Sequence, residues 1–254
     1  MPGLLNQDQS QPVRRPTRQE YVHEALGDIF ERALSTYDTR RRVETLVDDF
    51  LPDSFVKGKS VLDVGCGLGF FSERLRQRGA HVTACDIGPG LVARTRQRAG
   101  CTGVVADVLE LVSVFGRERF DLVVSSECIE HTPNPTLAVN QMLAVLRPGG
   151  YLSLSTPNVL WRPAVRFATA IGARPFDGFE NFSSWTSIRQ TMAASDAAIV
   201  HARGLHLFPF QLPLHGFSRW CDDHLQALRG VMINICILAR KASPTSADSP
   251  ICPN

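Results

Sequence analysis

The sequence predicts an α/β fold in which a mostly parallel sheet is covered by helices on both faces. Three observations predict it. From Ser60 onward, short apolar strands alternate with amphipathic helices, and strands separated by helices imply βαβ crossovers. The first strand runs directly into a glycine-rich turn, Gly65-Cys66-Gly67-Leu68-Gly69, at the carboxyl edge where open α/β sheets receive ligands. A length of 254 residues, with 44% hydrophobic and 20% charged side chains, is enough for one domain of this kind.

Along the chain, residues 1–18 are rich in Gln, Pro and Arg and read as a tail. Between Glu20 and Phe50 the apolar positions Tyr21, Ala25, Ile29 and Ala33, then Val43, Leu46, Val47 and Phe50, recur at steps of three and four, which predicts two helices. The Arg40-Arg41-Arg42 run at the start of the second reads as a solvated helix face. Strands are expected at 60–65, 80–86, 102–106, 120–125 and 150–156, with helices near 69–78, 89–98 and 135–146. Residues 158–184 look aromatic and loop-like, and a helix follows near 185–195. Strands near 198–206 and 231–239, with a helix at 218–228 between them, complete the domain, and the Ser/Pro-rich residues 242–254 read as a second tail. The domain so delimited is 19–241, with a helical cap at 19–50 and two segments, 157–184 and 205–220, falling over the edge where a substrate must sit.

Composition narrows the function. The formal net charge of +2 is too small for a surface that coats nucleic acid, so no nucleic-acid partner is expected. Seven cysteines, odd in number and without a CxxC pair, fit a reducing, cytoplasmic setting. The N-terminal stretch lacks the apolar core of a secretory signal, and the longest apolar run, Val231 to Ala239, is too short to span a bilayer. Arg162, Arg166 and Arg174 read as solvated, with an anionic substrate or a weak association with a membrane surface left open. Arginine outnumbers lysine 24 to 3, the usage of a GC-rich bacterial genome.

The glycine turn reads GxGxG rather than GxGxxG, with Phe70 where a dinucleotide loop has its third glycine, which weakens a pyrophosphate reading. Asp63, two residues before the turn, would repel phosphate and suit an ammonium group. Asp86 ends the second strand, where a carboxylate can accept two hydrogen bonds from a ribose diol. Asp107 follows the third strand, placed to accept from an adenine amino group. A loop and three acids in this order fit an adenosine cofactor with an amino-acid tail and no phosphates.

VLDVGCGLG, CDIGPG, VVADV, FDLVVSSECIEH and VLRPGGYLSLSTPN, in this order and spacing, resemble the class I S-adenosylmethionine-dependent methyltransferases over about residues 40–160. Glu127-Cys128-Ile129-Glu130-His131 followed by Pro133 and Pro135 is most similar to the ubiquinone-biosynthesis O-methyltransferases and their small-molecule relatives. The resemblance implies a Rossmann-like sheet of seven strands with the last inserted antiparallel. It implies that Asp63, Gly65, Gly67 and Gly69 hold the methionine part of S-adenosylmethionine, Asp86 the ribose, and Asp107 with Val108 the adenine. Cys66 and Ile87 join this cofactor-binding set, and Ser125 and Ser126 would line the methionine end.

Methyl transfer to a hydroxyl needs alignment, a dry site and a proton acceptor. His131, with an ordinary pKa near 6.5 and a place beside the expected sulfonium, is the candidate base, and Glu130 the candidate orienter. The alternative is that His131 caps the following turn. Glu127, Glu130 and His131 also form an ExxEH pattern that in some quinone and small-RNA 2′-O-methyltransferases coordinates a divalent cation, so Mg²⁺ or Mn²⁺ is a further candidate. The RNA enzymes use another histidine, for which His201 or His206 is available, and His206 and His215 are alternative bases. Phe176, Phe179, Phe182 and Trp185, with Phe208, Phe210, Phe217 and Trp220, are expected to form an aromatic lid over a largely apolar acceptor. The expected activity is O-methylation of a small lipophilic or aromatic metabolite. RNA 2′-O-methylation, an N or C acceptor, and a non-catalytic cofactor-binding partner remain as alternatives, and the sequence leaves the oligomeric state open.

Overall fold

Hydrophobic periodicity and turn chemistry place the elements, and their packing places the site. The computed structural model describes residues 36–170, 180–210 and 214–243. The chain opens with α1, Thr36–Val43, which winds on into a π-helical turn, Glu44–Asp49. Then follow β1 (Ser60–Val64), α2 (Phe70–Gln77), β2 (His81–Asp86), α3 (Pro89–Ala99), β3 (Thr102–Val105), α4 (Leu111–Phe115), β4 (Phe120–Ser126), α5 (Pro135–Val145) and β5 (Leu146–Pro157). The remainder is α6 (Arg162–Ala170), α7 (Trp185–Ala194), β6 (Ala197–Leu205), α8 (His215–His224) and β7 (Asn234–Lys241).

The seven strands form one sheet in the order β3-β2-β1-β4-β5-β7-β6. The pairs among β1 to β5 are parallel, and β7 runs antiparallel between β5 and β6. The expected architecture, an antiparallel last strand included, is the one observed. Chain order reverses between β1 and β4, so the carboxyl ends of β1, β2 and β4 splay around a crevice, the usual ligand position in such sheets.

Apolar packing covers both faces. One cluster joins Leu62, Val64, Val123, Leu152 and Leu154 of the strands to Leu111 near α4, Met142 and Leu143 of α5, and Ile188 and Met192 of α7. The other joins Val61, Val82, Leu122 and Val124 to Leu46, Val47, Phe50 and Leu51 after α1, and to Phe71 and Leu75 of α2. The helix limits follow local rules. Pro89 starts α3 and Gly100, at φ 59°, ends it in the left-handed conformation. Ser184 and Ser187 close a reciprocal capping box on α7.

Three expectations change. Residues 158–184, expected as a loop, contain a helix, α6, which buries no side chain. The final helix starts at His215 rather than 218, and a 3-10 turn over Gln226–Val231 delays the last strand to Asn234. The arginine run is not a solvated face: Arg40 is exposed, but Arg41 and Arg42 are 2% and 6% exposed. The first expected helix (Tyr21 to Ala33), both tails, and Arg174, Phe176 and Phe179 lie outside the described residues. No helix among the described residues is long and apolar enough to cross a membrane.

The cap is fastened to the sheet by a buried polar contact. In the π turn the ladder widens, and the Leu46 carbonyl accepts from the Ser153 hydroxyl of β5 at 2.8 Å, with both residues fully buried. Removing the donor leaves a buried carbonyl short of a partner. Ser153→Ala is therefore expected to lower stability by about 1–3 kcal/mol, read as a lower urea midpoint at unchanged slope.

Candidate functional site

The crevice is walled by the ends of four strands and roofed by α1. Its lining includes Gly65, Cys66, Gly67 and Leu68 after β1, Asp86 and Ile87 after β2, and Asp107 and Val108 after β3. Ser126, Glu127, Cys128, His131, Thr132 and Pro133 follow β4, Phe70 and Phe71 come from α2, and Thr39 and Arg42 hang from the cap.

The glycine turn has the backbone that only glycine adopts freely: φ is 70°, 50° and 84° at Gly65, Gly67 and Gly69. Space forbids a side chain as well. A Cβ on Gly65 would lie 2.7 Å from Cys128 Sγ, and one on Gly69 would lie 3.0 Å from the Cα of Thr95 on α3. The Thr95 hydroxyl donates to the Gly67 carbonyl at 3.0 Å, so α3 holds the turn from behind.

The acids divide into two groups. Asp86, 8% exposed, accepts from the backbone amides of Gly67 and Gly88, each at 3.0 Å, and so ties the first turn to the second while remaining on the wall. Asp107 N-caps the short turn after β3 by accepting from Leu109 N at 2.9 Å, and it also stays on the wall. Asp63 differs. It is 2% exposed, accepts from the Ser72 hydroxyl at 2.6 Å and sits behind the turn, outside the lining. Burial pushes its carboxyl up to about 7, against the Ser72 hydrogen bond and with help from the Asp86 charge. Ser125 is likewise turned away, donating to the Val64 carbonyl at 3.0 Å, whereas Ser126 lines the crevice.

Glu127, Glu130 and His131 follow β4. Glu127 stands at φ 52°, on the wall, and accepts from the Ser155 hydroxyl at 2.9 Å. Burial and then the neighbouring Glu130 push it up to about 7, opposed by Arg42. Glu130 is 2% exposed and outside the lining, with Oε1 3.9 Å from His131 Nε2. His131 lines the crevice with a fifth of its side chain exposed. Among the described residues no group of three His, Cys, Asp or Glu side chains is placed to hold a metal ion. The expected Mg²⁺ or Mn²⁺ ligands Glu127, Glu130 and His131 follow one another after β4, Glu127 in a left-handed conformation and Glu130 and His131 on a 3-10 turn.

Arg42, which sequence reasoning assigned to solvent, is a wall residue. Its Nε and NH2 bind Asp38 as a fork at 3.1 and 2.8 Å, and its NH1 donates to the Ser126 hydroxyl at 2.7 Å. Only the presence of Asp38 four residues earlier, an i,i+4 acid for that arginine, signalled this in the sequence. Burial works against the Asp38 charge, but Arg42 and His206 hold its carboxyl well below the usual range. Of the expected aromatic lid, the described residues Trp185, Phe208, Phe217 and Trp220 are not among those lining this crevice. Trp185 packs on the core and donates to the Arg229 carbonyl, while Phe208, Phe217 and Trp220 stack in an exposed row. Of the alternative bases, His201 and His215 are exposed, and His206 is fully buried outside the lining.

The wall fits an adenosine cofactor with an amino-acid tail. It offers carboxylates to a diol and an amine, a single guanidinium to a carboxylate, and a close glycine backbone, with no cluster of cations for phosphates. The raised Asp63 carboxyl has a consequence for folding. The native state keeps a proton that the unfolded chain releases near 3.8, so stability is full below that value and declines as pH rises towards 7. Asp63→Asn is expected to flatten the fall in stability between about pH 5 and 7 by one proton, about 1.4 kcal/mol per pH unit, in urea titrations across that range.

Comparison with known proteins agrees with this geometry. Residues 35–202 match the family model described as a methyltransferase domain. The ubiquinone biosynthesis O-methyltransferase of Xanthomonas euvesicatoria is 41% identical over 118 residues, 45% of this chain and 48% of that protein, and the one from Hahella chejuensis is 34% identical over 140 residues, 53% and 59%. The chain thus spans about half the length of the curated relatives it matches. Among solved structures, the N-methyltransferase NodS of Bradyrhizobium japonicum, in complex with S-adenosylhomocysteine, superposes with a TM-score of 0.63 at 16% identity over 89% of this chain and 99% of that one. The S-adenosylmethionine-dependent methyltransferase of Mesorhizobium loti superposes with a TM-score of 0.60 at 21% identity over 78% and 98%. With a family match over that much of its length and this crevice, the chain belongs to the methyltransferase domain family and takes S-adenosylmethionine as its cofactor.

Proposed function

We propose that this chain methylates a hydroxyl of a small, largely apolar or aromatic acceptor, with His131 taking the proton. The observation that carries the reading is the place of His131 on the crevice wall next to Thr132 and Pro133, with the buried Glu130 carboxylate 3.9 Å behind its Nε2. When bound, S-adenosylmethionine supplies an electrophilic methyl carbon on a positively charged sulfur. Around it, the Asp86 carboxylate on the wall would accept from the ribose diol, and Asp107 with Val108 would border the adenine. Gly65, Cys66, Gly67 and Ile87 bring the wall close, and Arg42 beside Ser126 faces the carboxylate of the amino-acid end. Gly69, Asp63 and Ser125 act from behind the wall by holding the turn and β1.

The acceptor's side is formed by Thr39, Glu127, His131, Thr132 and Pro133. His131 would take the proton of the acceptor hydroxyl, and the Glu130 carboxylate would stabilise the imidazolium. An oxygen acceptor is further supported by the curated relatives, which are named as O-methyltransferases. The six cysteines among the described residues are free, which supports a reducing, cytoplasmic setting.

The test is turnover of S-adenosylmethionine with phenols, catechols, sugars, lipid-like acids and short RNAs, with and without a chelator. Product is expected with the phenolic or catecholic acceptors, at a rate the chelator does not change. His131→Gln is expected to lower kcat about 10²-fold or more while leaving the Kd for S-adenosylhomocysteine within about twofold. Unchanged turnover of that variant would exclude the proton-accepting role, and RNA as the sole acceptor would exclude the substrate class.

A further inference from the structure

Away from the crevice wall, the most unusual residue is His206. It follows β6, is fully buried, and holds a left-handed backbone at φ 61°, a conformation that costs a side-chain-bearing residue about 1 kcal/mol or more and persists only where its surroundings fix it. The surroundings are evident. Its carbonyl accepts from Ile233 N at 3.1 Å, the next amide, Leu207 N, donates to Asp222 of α8 at 3.0 Å, and the rings of Tyr37 and Phe210 pack at 5.8 and 5.2 Å.

The imidazole points at the cap. His206 Nε2 lies 2.9 Å from Asp38 Oδ1, and an ionised carboxylate only accepts, so Nε2 carries the proton and donates it. Asp38 in turn grips the Arg42 guanidinium by two nitrogens and leaves the third to Ser126 on the wall. From Ser126 the chain runs on through Ser155, at 2.9 Å, to Glu127. A fork held on two points cannot swing, provided that its carboxylate is itself held.

We propose that His206 is a positioning residue for the cofactor site, orienting the Arg42 guanidinium on the crevice wall through Asp38. The inference rests on the cofactor reading of the crevice. It assigns a role in binding to a residue that touches neither cofactor nor acceptor, and it couples α8 and the end of β6 to the affinity for the cofactor. Packing alone would make any side chain that fills the space sufficient, whereas positioning needs a donor that reaches Asp38.

Two substitutions separate these. His206→Gln places an amide nitrogen near the Nε2 position, and His206→Asn is too short to reach Asp38 while being at ease in the left-handed backbone. With binding of S-adenosylhomocysteine to the wild-type chain measured first, His206→Asn is expected to raise its Kd about tenfold and the KM for S-adenosylmethionine equally, with kcat within about threefold. His206→Gln is expected to stay within about threefold in all three. In an Arg42→Lys background, which cannot form the fork, His206→Asn is expected to cost less than twofold further, the non-additivity of a shared path. Where His206→Asn does not give folded protein by circular dichroism, Asp38→Asn keeps the shape, weakens the fork, and is expected to raise Kd by the same factor. A wild-type Kd in His206→Asn or Asp38→Asn, equal losses in the Asn and Gln variants, or full additivity with Arg42→Lys overturns the proposal. A wild-type chain that binds no S-adenosylhomocysteine overturns the cofactor reading itself.

Discussion

The turn between β1 and α2 sets the terms for the rest of the molecule. A parallel sheet that binds a ligand at its carboxyl edge must turn within five residues from strand to helix, and Gly65, Gly67 and Gly69 do so with φ between 50° and 84°. Three of the five residues of such a turn bring no side chain to stabilise it. Its support comes from three neighbours: Thr95 of α3 bonds the Gly67 carbonyl, Asp86 takes the Gly67 amide, and Cys128 after β4 fills the space where a Cβ on Gly65 would lie. The ends of β1, β2 and β4 are therefore fixed relative to each other by the same contacts that leave the wall bare for a ligand. Asp86 serves both purposes, since its oxygens hold two backbone amides and it lines the crevice.

Legibility in the sequence followed the range of the interactions. Strands β1 to β4 and helices α2, α3 and α5 show within one or two residues of their expected limits, because each carries its own apolar period and its own glycine or proline boundary. Asp86, Asp107, Ser126 and His131 were found because each sits at a strand end that local pattern alone locates. Arg42 was not found, since the period of α1 only says that it is helical. Whether an arginine there meets water or a buried carboxylate depends on Ser126 and His206, 84 and 164 positions away in the chain. The aromatic segments misled for the opposite reason. Phe208, Phe217 and Trp220 look like ligand-facing rings in the sequence, yet they stack on one another outside the crevice, because ring content is legible and ring direction is not.

The same limit applies to the residues after β4. Glu127, Glu130 and His131 show their spacing in the sequence, but their surroundings are set by contacts distant in the chain: Ser155 of β5 donates to Glu127, and burial together with Glu130 raises the Glu127 carboxyl against the Arg42 charge of α1. The buried Glu130 carboxylate lies 3.9 Å from the partly exposed His131 imidazole.

The cap shows why a helix that roofs a ligand cannot be built from apolar residues alone. Arg42 must bring a charge to a dry wall, and an unpaired guanidinium there would cost several kcal/mol in lost hydration. Asp38, one turn earlier, offsets that cost, but a buried carboxylate needs partners of its own, and His206 supplies one from β6. Arg41 extends the pattern outward to Glu44 and to Asp223 of α8, which also receives Arg203 of β6. Well-packed hydrophobic side chains in these places would serve stability as well or better. They would not fix direction. Asp38–Arg42 is internal to α1, but Asp38 also meets His206 after β6 and Arg41 meets Asp223 of α8, so the cap is seated against two other elements with its charges matched, and in that seating the guanidinium lies against Ser126 on the crevice wall.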